Sequence, residues 1–153
     1  MTTRLQMSSR KPFSQTLYDN DDSAKDQLIA YLANHRFHNP RVNPDQYGID
    51  VLAERDGQPY AFEVEVKHNW KGTHFPYSTV HFAGRKAKFT DEAAAPIQNT
   101  HFVMLNHDRT IALAISGEII VQAQKVVKET IYTQGEEFIS VPKAQAKFFR
   151  IET

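Results

Sequence analysis

Between Tyr47 and Lys67 the chain reads YGIDVLAERDGQPYAFEVEVK, two arms in which apolar and polar residues alternate with the period of two that marks half-buried strands. On the first arm Tyr47, Ile49 and Val51 point one way, and Gly48, Asp50, Leu52 and Glu54 the other. On the second arm Tyr60, Phe62, Val64 and Val66 make the apolar face, with Ala61, Glu63, Glu65 and Lys67 on its reverse. Asp56-Gly57 predicts the turn between them. A two-residue loop sets Asp50 across from Glu63; a four-residue loop that takes in Pro59 sets it across from Glu65. Both registers gather the acids on one face, whereas a three-residue loop would separate them, because a one-residue slip turns every side chain over.

The rest of the pattern fills in around this hairpin. Residues 1–17 are polar, with Ser8, Ser9 and Pro12, and read as a flexible lead-in. DNDDSAKDQLIAYLANHRF predicts a helix: Asp19 to Asp22 favour its N-terminal dipole end, and Leu28, Ile29 and Leu32, with Ala24 and Tyr31, form an apolar stripe. After the hairpin, HNWKGTHFPY reads as a loop, and STVHFAGRKAKFTDEA as a short strand or helix rich in cations. THFVMLNHD is a buried strand by its apolar run, paired with TIALAIS across a turn at His107 to Arg109. GEIIVQAQKVVKETIYT is ambiguous between helix and strand. The tail ends in a strand at Lys147 to Ile151. There is no internal repeat or linker, so residues 18–153 read as a single α/β domain with a central mixed sheet flanked by helices.

Composition narrows the setting. A chain of 153 residues is one domain in size and long enough to bury a core without staples. It has no cysteine, which removes disulfides, thiolate chemistry and sulfur-ligated zinc. No apolar run approaches the roughly 18 residues of a membrane span, and MTTRLQMSSRKPF lacks the apolar core of a signal peptide. A soluble, cytoplasmic protein that does not engage membranes is the expectation. The 18 basic and 18 acidic side chains cancel, so total charge does not announce a nucleic-acid binder, while local clusters remain open.

Directly opposed residues of a hairpin lie roughly 4.5 to 5.5 Å apart and diagonal ones about 7 to 8 Å, so two of the carboxylates can share a cation. Magnesium prefers oxygen ligands and is typically held by one or two carboxylates together with waters and phosphate; Asp50 and Glu65 suffice for that, with Glu63 available for a second metal or its waters. Such an ion can neutralise a scissile phosphate, activate water and stabilise the leaving oxygen. Lys67, on the same face, can orient or help deprotonate the water or neutralise developing charge. Trp70, Lys71, His74, His81, Arg85, Lys86 and Lys88 follow directly, where phosphate contacts would be needed, and among them Arg85, Lys86 and Lys88 are the clustered cations that a polyanion rewards.

This pattern resembles the PD-(D/E)XK nuclease superfamily, whose signature is an acid at the start of one strand and an acid-x-Lys on the next. The matching residues are Asp50 in GID and Glu65-Val66-Lys67 in FEVEVK; Ile49 stands where the signature has proline. The resemblance is close over residues 47–67 and extends weakly to the whole chain, because the family core runs helix, three strands, helix, strand. It implies a restriction-endonuclease-like fold and hydrolysis of phosphodiester bonds in nucleic acid, DNA foremost, with Mg²⁺ or Mn²⁺. By the same resemblance Asp50, Glu65 and the main-chain carbonyl of Val66 bind the metal, Lys67 assists catalysis, and a homodimer serves to cut two strands. Many members carry a glutamate on the first helix; this one has none, and Asp22, Asp26 or Gln27 could substitute.

Other chemistries find little purchase. The seven histidines show no HExxH-type pairing, and GxSxG, GxGxxG and a Gly-rich loop ending in Lys-Ser/Thr are absent. The bland alternatives are a non-catalytic domain of the same fold that binds nucleic acid or a protein, and a hairpin that merely displays charge to water.

Overall fold

A six-stranded mixed sheet in the order β1-β2-β3-β5-β6-β9 divides the protein, with one long helix on one face and a second, three-stranded sheet, β4-β8-β7, on the other. The computed structural model describes residues 15–128 and 135–152, the side chains of residues 15–21, 124 and 128 apart. The elements are α1 (Gln15–Ala33), β1 (His38–Val42), β2 (Val51–Arg55), β3 (Gln58–Val66), β4 (Thr79–Ala83), β5 (Thr100–Leu105), β6 (Ile111–Ser116), α2 (Gly117–Gln122), β7 (Gln124–Lys128), β8 (Glu136–Pro142) and β9 (Lys147–Arg150). Most of the expected lead-in lies outside the described residues. Within the described residues α1 runs from Gln15, upstream of the acids expected at its start, since nothing between Gln15 and Tyr18 breaks a helix.

Alternation along the strands builds both sides of the sheet. Phe62, Val64 and Val66 of β3, Val51 and Ala53 of β2 and Val103 and Leu105 of β5 pack against Ala24, Leu28 and Leu32 of α1. Phe102 and Met104 of β5, with Leu113 and Ile115 of β6, face Val80 and Phe82 of β4 and Ile139 and Val141 of β8. Trp70, from the loop after β3, is fully buried in this second core, edge-on to Phe75 and Phe148. It is therefore a core residue and not part of a basic, aromatic surface.

β2 and β3 form the hairpin with a two-residue loop: Arg55 pairs with Gln58 and Val51 with Phe62. Asp56 and Gly57 both have positive φ, 52° and 75°, as the tight hairpin turn requires. β3 then pairs in parallel with β5, so the chain must cross over between them. That crossover, residues 67–99, supplies β4, a 3-10 helix at Gly84–Thr90 and a shorter one at Ile97–Asn99. The cation-rich segment is thus a strand followed by a helix, and the ambiguous one splits at Ala123 into α2 and β7. β1 is an edge strand with a register irregularity between His38 and Arg41. Among the described residues no helix is long and apolar enough to cross a membrane.

Candidate functional site

At the end of the hairpin away from its turn, β2 breaks off and leaves a carboxylate in place of the ladder. The segment before it is held by local polar contacts: Asn43 Oδ1 accepts the Asp45 N–H, Asp45 Oδ1 accepts the Tyr47 N–H, and the Gly48 N–H returns to the Asp45 carbonyl. A Cβ on Gly48 would stand 2.7 Å from Asn43 Nδ2, so a side chain there would displace that amide. The Asn43 N–H donates to the Asp50 carbonyl, fixing the backbone at that residue. The carboxylate then turns along the sheet, and Oδ2 accepts the Val64 N–H at 3.0 Å, while Oδ1 lies 3.5 Å from Lys25 Nζ on α1.

Glu63 and Glu65 leave β3 on the face away from α1. Their partners in β5 are Phe102 and Met104, both buried, so the two carboxylates rise from an apolar layer. The charge that meets them comes from the crossover. Lys86, in the 3-10 helix, donates to Glu65 Oε1 at 2.6 Å and stands 3.3 Å from Glu63 Oε2, with its side chain 13% exposed. Three acids are therefore gathered about one ammonium, with a second ammonium, Lys25, behind Asp50.

The electrostatics follow from burial. Burial pushes the Glu63 carboxyl up to about 8; the Lys86 ammonium opposes this, and neighbouring Asp50 adds to it. For Lys86, burial favours the neutral amine, but Glu65, then Glu63 and Asp50, outweigh it, and its pKa is raised. The counter-charge of the ammonium is thus chiefly Glu65, the nearer oxygen. The Glu63 carboxyl is thus tied on two sides, to the Lys86 ammonium and to the Asp50 side chain.

Asp50, Glu63 and Glu65 carry the hard oxygen atoms that a divalent cation prefers. Among the described residues no three acids or histidines are spaced as a ready-made metal cage; the acids are disposed round an amine instead. Val66, whose carbonyl completes the expected set, is the last residue of β3, in register with Leu105. Of the first-helix candidates, Gln27 is committed elsewhere, donating to the Arg109 carbonyl at 2.6 Å. Asp22 lies 3.8 Å from Lys25 Nζ, and through that lysine adjoins Asp50.

The other sequence candidates are spread more widely. Lys67 follows the last residue of β3 and carries its Nζ over the Tyr77 ring, 5.1 Å from the centroid. His81 on β4 shares hydrogen bonds with Ser140 and Thr79. Lys71, Arg85 and Lys88 are exposed, Arg85 lying 3.9 Å from Glu136 and Lys88 over the Phe89 ring. Lys86 differs from these neighbours in being drawn inward, because two carboxylates with little solvent around them attract the nearest flexible cation. No spacing rule signals that role, since it depends on where the crossover lies. A cleft of about 410 Å³ opens between the segment that carries Asn43, Tyr47 and Ile49 and the one that carries Lys88, Phe89 and Asp91. No protein-family model matches the chain, and no curated protein sequence matches it.

Proposed function

We propose that this protein is a divalent-metal-dependent nuclease of restriction-endonuclease-like fold that hydrolyses phosphodiester bonds, with DNA as its foremost substrate. The observation that carries the reading is the grouping of Asp50, Glu63 and Glu65 at the end of a helix-flanked hairpin, where Glu63 hydrogen-bonds Asp50 and shares Lys86 with Glu65. The order of elements supports it: a helix, three antiparallel strands, a crossover and a parallel strand. Besides Ile49 and the helix without a glutamate, it departs from the family core in its crossover, which carries β4 and a 3-10 helix where an α-helix belongs.

In this reading Asp50 and Glu65 hold Mg²⁺ or Mn²⁺ with the Val66 carbonyl, and Glu63 holds its waters. The ion, when bound, supplies charge neutralisation at the phosphate and a more acidic water. Asp50 is kept in position by the Val64 N–H and Lys25. Lys67, two residues beyond Glu65, orients the attacking water. Exposed Lys71, Arg85 and Lys88 meet the sugar-phosphate chain, with the cleft between Tyr47 and Lys88 as its path. Cutting both strands of a duplex calls for two copies of the chain.

One observation favours a second reading, a non-catalytic domain of the same fold that binds nucleic acid or protein: Lys86 already neutralises the cluster without a metal. The two readings separate in one experiment. Wild type, Asp50→Ala, Glu65→Ala and Lys67→Ala are incubated with plasmid, branched and single-stranded DNA in Mg²⁺, Mn²⁺ or EDTA. The nuclease reading expects cutting by wild type that EDTA abolishes and that all three folded variants lose. Binding without cutting by wild type selects the second reading, and equal nicking by every protein marks a contaminant and refutes the first.

A further inference from the structure

We propose that the cavity between the C-terminal half of α1 and the strands β5, β6 and β9 is a binding site for a small aromatic carboxylate, its ring held among aromatic side chains and its anion between Arg55 and Lys147. The cavity, about 380 Å³, lies on the α1 face of the large sheet, opposite Glu63 and Glu65, and is independent of how those acids are used. It exists because α1 lies chiefly over β1, β2 and β3, while the sheet continues through β5, β6 and β9. Two rows of the sheet make its floor. Phe62, His101 and Ser116 stand side by side across β3, β5 and β6, and Val103, Ala114 and Lys147 across β5, β6 and β9. The small side chains of Ala114 and Ser116 leave the floor low, and Tyr31, Phe37 and Phe149 stand round it as walls.

The charges at the cavity select the ligand. Arg55, His101 and Lys147 line it, and no acid does. Among the described residues neither Arg55 nor Lys147 has an acidic partner; the guanidinium lies instead over the rings of Phe37 and Tyr60, 4.3 and 5.3 Å from their centroids. Both cations act on His101, so their fields converge on the cavity. Unbalanced positive charge beside an apolar, poorly solvated surface favours an anion. A guanidinium held by rings keeps its N–H fork for a carboxylate, whose two oxygens match it. Other polar groups are few: Ser116 Oγ already accepts the Ile119 N–H, leaving the Tyr31 hydroxyl and the exposed Gln145 amide. The hydroxyls of a sugar would be buried there without enough partners, which disfavours a nucleotide. The volume, near the lower end of the roughly 300 to 1,000 Å³ of ligand pockets, suits one or two rings.

The test is calorimetric titration of wild type, Arg55→Gln, Lys147→Gln and Ala114→Leu with benzoate, 4-hydroxybenzoate and indole-3-acetate, each beside its carboxamide, and with adenosine monophosphate and decanoate. At least one of the aromatic acids should bind wild type at millimolar concentration or below, on the order of tenfold more tightly than its carboxamide, the scale of a charge-assisted hydrogen bond. Arg55→Gln and Lys147→Gln should each lose a similar factor, and Ala114→Leu, which raises the floor, should not bind. Saturation of wild type should move the ring resonances of His101. No binding by any of the aromatic acids, equal binding of acid and carboxamide, binding that survives Ala114→Leu, or unmoved His101 resonances overturns the site. Wild-type affinity in either cation variant overturns the placement of the anion, and tighter binding of the nucleotide or of decanoate overturns the ligand class. Should Arg55→Gln or Ala114→Leu fail to fold, Lys147→Gln, whose side chain is exposed, and the comparison of acid with carboxamide on wild type decide.

Discussion

His101 lies in β5 in register with Phe62, and its ring is stacked near those of Tyr60 and Phe62, with centroids 6.2 and 5.6 Å away. Burial, then the positive charges of Arg55 and Lys147, pull its pKa down from 6.5 to about 4. The unfolded chain takes up this proton near 6.5 and the folded chain only near 4, so between those values the unfolded state binds more protons. The stability contributed by the neutral imidazole is therefore complete above pH 6.5 and is lost as pH falls through 4. The difference of 2.5 units (6.5 minus 4) amounts to about 3 kcal/mol when fully developed, and about 2 kcal/mol at about pH 5.

His101→Phe removes the titration and keeps a ring against Tyr60 and Phe62. A cavity of about 380 Å³ bordered by His101, Phe62 and Phe149 gives the larger ring room. Urea unfolding of both proteins at a series of pH values, roughly 7.5 to 4.5, measures the effect, and in the difference between the two curves every other titrating group cancels. The variant should gain about 2 kcal/mol relative to wild type on going from the top of that range to about pH 5. Curves that stay parallel would refute the assignment of a depressed pKa to this half-buried ring.

Two further outcomes follow from contacts away from the cluster. Asn106 is fully buried at the β5–β6 turn, where it accepts the N–H groups of Thr110 and Ile111 and donates to the Gly72 carbonyl. Asn106→Ala strands those groups and should cost about 2 to 3 kcal/mol in denaturant unfolding; a loss within error of zero would show that water replaces the amide. A Cβ on Gly84 would meet the Glu137 carbonyl oxygen at 2.7 Å, so Gly84→Ala must push β8 and the 3-10 helix apart. It should lower stability by about 1 to 3 kcal/mol in the same assay, and an unchanged midpoint would mean that the junction yields freely.

Legibility in the sequence followed the range of the interaction concerned. The β2–β3 hairpin could be read from alternation and Asp56-Gly57 alone, since its register is fixed by neighbours in the chain. β5 and β6 declared themselves by apolar runs, and α1 by Ala24, Leu28 and Leu32, although it already runs upstream of the acids at 19–22. β1 was hidden because Pro40 and Asn39, the latter with a φ of 53°, look like a break, and a strand survives there only through pairing with β2. β7 exists because β8 supplies its partner, and no local pattern around Val126 distinguishes that from a continuing helix. For the same reason Lys86 read as one surface cation among several. Its place beside Glu65, 21 positions earlier, is set by the β3-to-β5 crossover and by the desolvation of the acids.

The borders of the large sheet bear on how two molecules could meet. On one side β1 contains a proline that cannot donate and a bulge that skews its hydrogen-bonding groups; on the other β9 is four residues long and ends in Arg150. Neither rim offers a straight run of free amides and carbonyls for a neighbour to zip onto. A twofold assembly would consequently not be built by extending the large sheet, and substitutions along β1 or β9 should leave it unchanged.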